Sequence, residues 1–300
     1  MKNIITTAAA LATITGTAAA ATSYSTDFDN FAVGFTSPQA NGVPYINDPN
    51  PAFNWRGDGL TGLGGQGDYD AGIVNIGGAR QNVFRQNNIA SAQTGNYATT
   101  HPSTPVIDAA GETGTQTNSG APSTNDVFQF SYDFKAVVDQ EQDGLQVRTT
   151  PFDSGAGRQG IIYIEDGGSD GFRVEYADLD VAGNAFRNTT IASNLSRSDW
   201  HSLSVEMIFN DGAANDVVNI TLNGNTTTLT TWEYFYRANS LAVPAVDSLI
   251  FRIPAQGSPV NAFGPGGGVY FDNLSTATVP APGAAGLLGL AGLAATRRRR

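Results

Sequence analysis

The stretch DVFQFSYDFKAVV, from Asp126 to Val138, decides the fold. Phe128, Phe130, Tyr132, Phe134, Ala136 and Val138 fall on one parity, and Gln129, Ser131, Asp133 and Lys135 on the other. Side chains of a strand alternate between two faces, so this pattern predicts a long strand with one face buried. Downstream the pattern recurs at Leu145 to Thr149, Ile161 to Glu165, Phe172 to Tyr176, Leu203 to Phe209, Val217 to Leu222, Leu249 to Ile253 and Val269 to Leu274. Turn signals separate these runs: Asp143-Gly144, Asp166-Gly167-Gly168, Asn210-Asp211-Gly212 and Asn223-Gly224. Strands of one apolar face, spaced by such turns, predict an all-β domain of two antiparallel sheets packed face to face. Upstream the pattern is weaker. Asn47 to Gly78 is rich in Gly, Asp and Asn around Phe53 and Trp55, and residues 90–123 are almost all small or polar, which reads as a long flexible surface loop.

Composition agrees with a β protein and removes several chemistries. The 300 residues include 35 Gly and no Cys, so disulfides, thiolate metal sites and a cysteine nucleophile are excluded. With only two histidines, His101 and His201, a His-rich metal centre cannot be built. His101 reads as an exposed loop residue, and His201, following Trp200, as alternating to the solvent face of its strand. All 27 acidic residues but only 11 of the 16 basic ones lie between Asp27 and Asp272, leaving −16 there against −11 for the whole chain. No basic stripe exists to displace phosphate counterions, so nucleic acid is not an expected partner.

The two ends read as addresses. Residues 1–21 open with Lys2, continue through a short apolar stretch and close on Ala18 to Ala21, the pattern of a secretory signal peptide. Residues 22–278 then form the expected single sandwich domain. The last segment, VPAPGAAGLLGLAGLAATRRRR from Val279 to Arg300, has a 13-residue apolar part, Gly283 to Ala295. That is short of the roughly 20 residues a helix needs to cross a bilayer, so it predicts transient membrane contact with the arginines held at the cytoplasmic side. A Pro-x-Pro motif, a Gly/Ala/Leu helix and a terminal Arg run, in that order, resemble the PEP-CTERM sorting signal of Gram-negative bacteria. The resemblance implies processing by an exosortase-type protease and delivery to the cell surface or an exopolysaccharide matrix. Pro280, Ala281 and Pro282 would be the recognition residues, and Arg297, Arg298, Arg299 and Arg300 the stop. Ala281 departs from the Glu of that family.

FDNF at Phe28 to Phe31, WHSLSVEMIFNDGAANDVVNITLNG at Trp200 to Gly224, TTWEYFYR at Thr230 to Arg237 and VYFDNLS at Val269 to Ser275 together resemble concanavalin A-like or laminin G-like jelly rolls. The resemblance implies first and last strands side by side, which would bring Asp27 or Asp29 towards Asp272, and a structural calcium held there by hard oxygen ligands. Glucanases of that fold carry E-x-D-x-E on one strand face. Here the nearest string runs from Glu175 to Asp180, and Glu175 and Asp178 differ in parity, so no catalytic pair is expected within one strand. Glu165 or Glu206 could still reach Glu175 from a neighbouring strand.

Trp232, Tyr234 and Tyr236 form an aromatic cluster with two readings. Trp232 and Tyr236, at i and i+4, can close one end of the sandwich core, or the rings can stack on sugars. Trp55 carries the same ambiguity. These observations together lead to an expectation of an exported, C-terminally processed, non-catalytic surface protein that binds an extracellular glycan or fills a structural role. A secreted polysaccharide hydrolase or lyase and a laminin G-like adhesion module are the alternatives.

Overall fold

The computed structural model describes residues 23–35, 49–50, 55–57, 71–89, 102–112, 123, 125–153, 157–180, 185–254, 258–264 and 266–280. Among them the strands run, in chain order, β1 (Ser23–Thr26), β2 (Gly34–Phe35), β3 (Arg56–Gly57), β4 (Ala71–Asn75), β5 (Asn82–Gln86), β6 (Pro102–Ser103), β7 (Asn125–Ala136) and β8 (Gln146–Phe152). They continue as β9 (Ile162–Asp166), β10 (Phe172–Asp180), β11 (Ala185–Leu195), β12 (His201–Ile208), β13 (Val217–Leu222), β14 (Asn225–Leu229), β15 (Ser248–Arg252) and β16 (Val269–Pro280), with a 3-10 turn at Gly168–Asp170 and a short α-helix, α1 (Glu233–Ala238). No helix among the described residues is long and apolar enough to cross a membrane.

Two antiparallel sheets result. One orders β14-β13-β12-β7-β16-β5-β4-β2, with β1 also on β16, and the other orders β11-β10-β9-β8-β15-β6-β3. Non-sequential neighbours such as β7 beside β16 and β8 beside β15 give the jelly-roll connectivity. First and last strands lie side by side as expected, with Tyr24 opposite Thr276.

The even positions of β7 point into the gap between the sheets, where Phe128, Phe130, Tyr132 and Phe134 are buried with Phe84, Phe251 and Phe271. Rings there pack edge-on, for example Tyr132 against Phe271 at 5.3 Å and 80°, the arrangement that aligns positive ring edges with negative faces. The buried Tyr132 hydroxyl lies 2.8 Å from Thr149 Oγ1 on the opposite sheet, so the sandwich is tied by a polar contact as well as by apolar burial. Burial pushes that phenol well above its ordinary pKa and keeps it neutral.

Three expectations are corrected. Trp55 is not a surface platform: it is fully buried, stacks on Phe251 at 5.7 Å and donates its indole N–H to Tyr24 Oη at 2.8 Å. The stretch 90–123 is not all surface loop, because Thr104, Ile107 and Ala110 are buried and the Thr104, Ile107 and Ala110 amides bond to Leu249, Asp247 and Val246. Part of it therefore pairs along β15, on the side away from β8. His201 shares the inward parity of Leu203, Val205 and Met207 and is buried beside Phe134 at 5.3 Å. Its ring nitrogens meet Ser196 O at 2.8 Å and Asn223 Nδ2 at 3.0 Å. His101, Ala281, Pro282 and Arg297 to Arg300 lie outside the described residues, and Pro280 closes β16 opposite Asn125.

Candidate active site

The face of the seven-stranded sheet turned away from the core carries the chemistry. On β10, Phe172, Val174 and Tyr176 point into the sandwich, so Arg173, Glu175, Ala177 and Leu179 point outward. Strand register lines them up with neighbours. Arg173 lies opposite Glu165 and Glu175 opposite Tyr163, while Gln146 lies opposite Glu165 and Arg148 opposite Tyr163. The row continues through Arg252, opposite Arg148, and at the other side through Thr190, opposite Glu175. Residues in such cross-strand rows are close enough to interact directly.

Two carboxylates share one guanidinium here. Arg173 Nη2 donates to Glu165 Oε2 at 2.5 Å, and its Nε lies 3.0 Å from Glu175 Oε1. Both glutamates are nearly buried, at 8% and 9% exposure. The hydrogen bond to Glu165 holds the Arg173 pKa above its ordinary value. Glu175 Oε2 also accepts from Asn188 Nδ2 at 3.0 Å, and Gln146 Nε2 donates to Glu165 Oε1. Arg148 donates through Nε to Gln146 Oε1 at 2.7 Å, and its guanidinium lies over the Tyr163 ring at 4.9 Å. A cavity of about 240 Å³ opens beside them, lined by Gln146, Arg148, Glu165 and the Pro254, Ser258 and Pro259 loop. Because both glutamates touch one guanidinium, their contacting oxygens are at most about 8 Å apart, below the roughly 9.5 Å that is the upper limit for paired carboxylates acting on a glycosidic bond.

The parity argument holds as far as it goes. The β10–β11 register is regular from Glu175 to Asp180, with bulges only before Glu175, and Asp178 is drawn to Arg187 at 2.8 Å, away from Glu175. The partner of Glu175 is Glu165 across the β9–β10 hairpin. Glu206 sits on the other sheet, accepting from Gln129 and Asn219.

The aromatic cluster does not close the main core. Trp232 packs with Ile161, Ala177 and Leu179 in a second, smaller cluster that Tyr163, Tyr234, Phe235 and Tyr236 flank, so α1 covers the outer face of the same sheet. Trp232 is held by its indole N–H bond to Ala177 O at 2.8 Å, and the Tyr236 hydroxyl donates to Arg158 O at 2.8 Å. Both are thereby committed as structure, while Tyr234 is half-buried at the flank.

The three proposed calcium ligands do not fit a cation. Asp272 Oδ2 accepts from Arg80 Nη1 at 2.9 Å, and the same guanidinium donates to Asp133 at 2.6 Å, so a protein cation already occupies that place. Asp29 Oδ1 accepts from the Gln81 and Asn82 amides, and Asp27 Oδ1 from the Asp29 amide. Among the described residues, the carboxylates that do converge are Glu112, Asp216 and Glu233, with oxygens within 4.8 Å of one another. They too are internally matched. Arg237 pairs with Glu112 and Glu233, Thr231 Oγ1 donates to Asp216 at 2.6 Å, and the Ala214 amide donates to Glu233 at 2.9 Å. Burial raises the Asp216 pKa to about 6 and pushes Glu233 up as well.

No protein-family model matches the chain, and no curated protein matches it. Among solved structures it is similar to an alginate lyase mutant in complex with alginate tetrasaccharide, at TM-score 0.48 and 14% identity over 86% of this chain and 97% of that one. An endo-1,3-β-glucanase from Streptomyces sioyaensis gives 0.42 and 12% over 83% and 96%, and an alginate lyase from Pseudomonas aeruginosa 0.40 and 12% over 71% and 86%. The likeness is one of fold, a concanavalin-like jelly roll. The expectation of a non-catalytic domain is withdrawn on the geometry above, where Glu165 and Glu175 meet at Arg173 on one face of the sheet.

Proposed function

We propose that the protein is a polysaccharide-cleaving enzyme acting on the outer face of the seven-stranded sheet, with Glu165 and Glu175 as its acid–base pair. The observation that carries this reading is the pair itself: two nearly buried carboxylates on adjacent strands, bridged by Arg173, with Glu165 bordering a cavity. One carboxyl can protonate the glycosidic oxygen while the other activates water or attacks the sugar. Arg173 keeps the two negative charges in place, and Gln146 and Asn188 fix the carboxylate planes. The jelly-roll neighbours named above act on glycans, which agrees with a glycan substrate.

The reading is tested by incubating the purified protein with a panel of soluble polysaccharides, neutral and uronate-containing, and following reducing ends together with ultraviolet absorbance. Reducing ends without new absorbance support hydrolysis. New absorbance from an unsaturated product assigns the cleavage to elimination. No cleavage of any member overturns the proposal. Export and C-terminal processing rest on the sequences of residues 1–21 and 279–300 alone and place this activity at the cell surface or in the surrounding matrix, with an exosortase-type protease as processing partner. Mass spectrometry of the mature protein tests that part: material retaining Arg297 to Arg300 outside the cell contradicts it.

A further inference from the structure

Phe186, on β11, is the large apolar side chain of this sheet face that the proposed chemistry leaves unused. It lies opposite Leu179 and is 46% exposed, although its ring contacts Trp232 at 4.5 Å and Phe235 at 4.9 Å. Those contacts are not incidental. Trp232 is anchored by its bond to Ala177 O, Arg158 lies over its ring at 5.5 Å, and Tyr236 meets Phe235 edge-on at 5.6 Å. A pre-packed aromatic set with one ring left to water is a surface prepared for a flat apolar partner, and ordering it further on binding costs little.

Its position relative to Glu175 narrows what that partner is. Glu175, Ala177 and Leu179 share one face of β10. Four residues of strand separate the row of Glu175 from that of Phe186, about 13 Å. Between them stands Asn188, opposite Ala177 and bonded to Glu175. Trp232 covers Ala177 and Leu179 on β10, so an extended chain of pyranose rings engaged at the Glu165–Glu175 pair and running along the exposed β11 would cover this span with about two or three rings, its hydroxyls meeting Asn188 and its C–H face meeting Phe186.

We infer that Phe186, supported by Trp232 and Phe235, is a distal stacking subsite for a polysaccharide chain that extends along β11 from the Glu165–Glu175 pair. The inference rests on the proposed cleavage site for the direction of the chain. It does not need turnover to be measured. Recognition there is of a pyranose ring face, so the subsite favours long chains over short ones.

The test uses binding to the full chain. Wild type and the variants Phe186→Ala and Phe186→Tyr are run in native gels containing laminarin, xylan or alginate, and the retarding polysaccharide supplies a disaccharide and a hexasaccharide for calorimetric titration. Phe186→Ala is expected to weaken hexasaccharide binding about tenfold, the loss of one stacked ring. Disaccharide affinity is expected to stay within about twofold, and Phe186→Tyr to restore hexasaccharide affinity. A hexasaccharide affinity unaltered in Phe186→Ala, an equal loss for both lengths, or no retardation of the wild type overturns the inference. Retardation and a length-dependent loss in a protein that cleaves nothing would retain the subsite and reject the cleavage site. Because nearly half of Phe186 is already exposed, its truncation leaves the fold intact, and the Phe186→Tyr variant guards against indirect effects.

Discussion

Replacing Glu175 by Gln separates the chemistry of the site from its architecture. Glutamine keeps the shape of the side chain and one carbonyl oxygen, which can continue to accept from Asn188. It loses the charge that faces Arg173 Nε at 3.0 Å. Arg173 retains its hydrogen bond to Glu165, and the arginine side chain is 43% exposed, so water compensates much of the lost pairing. The cost in stability is then at the level of a screened ion pair, about 0.5–1 kcal/mol. For a protein of this size that lowers the melting temperature by about 1–4 °C. Loss of a general acid or base costs about 10²–10⁴ in rate. The assay is the initial rate of reducing-end release from the best polysaccharide of the panel, beside a thermal melt of the same preparation. A folded Glu175→Gln protein retaining more than about one tenth of wild-type activity would refute the role of Glu175.

Other positions give independent checks. Trp55→Ala removes a fully buried ring and its bond to Tyr24 and is expected to cost about 3–5 kcal/mol, read as a large fall in the urea midpoint. A fall of less than about 1 kcal/mol would contradict the placement of Trp55 in the core. Gly144 has a φ of +76°, and a Cβ there would lie 2.3 Å from Val260 O, so Gly144→Ala must shift the loop that borders the candidate cavity. It is expected to destabilise the fold by about 1–3 kcal/mol in chemical denaturation. Asp216 gives a pH prediction. Its folded pKa, about 6, lies above its ordinary value of 3.8, so the native state holds the proton more tightly than the unfolded chain. Stability from this group is fully present below about pH 4 and is lost as pH rises through about 6, on the order of 2–3 kcal/mol. Asp216→Asn should flatten that part of the stability–pH curve, and an unchanged slope between pH 4 and 7 would contradict the assignment.

The strands of the nine-stranded sheet were legible where one face is buried in strict alternation, as in β7, β12 and β13. β7 carries bulky side chains at alternate positions, and the Asn223-Gly224 turn, with φ of 49° and 85°, adopts the left-handed geometry that this dipeptide favours in two-residue hairpins. β11 and β14 were not legible. As edge strands of exposed Thr, Asn and Ser, they show no apolar alternation for a period-two reading to detect. Trp55 kept two readings because it stands in a Gly-rich stretch whose local composition says nothing of a partner at Phe251. His201, by contrast, left a usable signal, the shared parity with Leu203, Val205 and Met207.

The candidate pair was visible only in part. Searching one strand for acids on the same face correctly separated Glu175 from Asp178, but the arrangement depends on register between strands. The hairpin around Asp166 to Gly171 sets Glu165 opposite Arg173, and that register follows from the turn. The string IEDGGSDGFRVE holds the signal, an acid just before a Gly-rich turn and a basic residue just after it. The place of α1 could not be read at all, since Trp232 and Phe235 would give the same pattern whether they sealed the sandwich or covered its outside.

The most direct measurement is a crystal structure of the Glu175→Gln protein with a hexasaccharide of the polysaccharide that it fails to turn over. The account predicts a glycosidic oxygen within about 3 Å of a carboxyl or carboxamide at Glu165 or position 175, with the sugar chain leaving along β11. Sugar bound on the nine-stranded sheet, or lying across the seven-stranded sheet without reaching Glu165 and position 175, would contradict it.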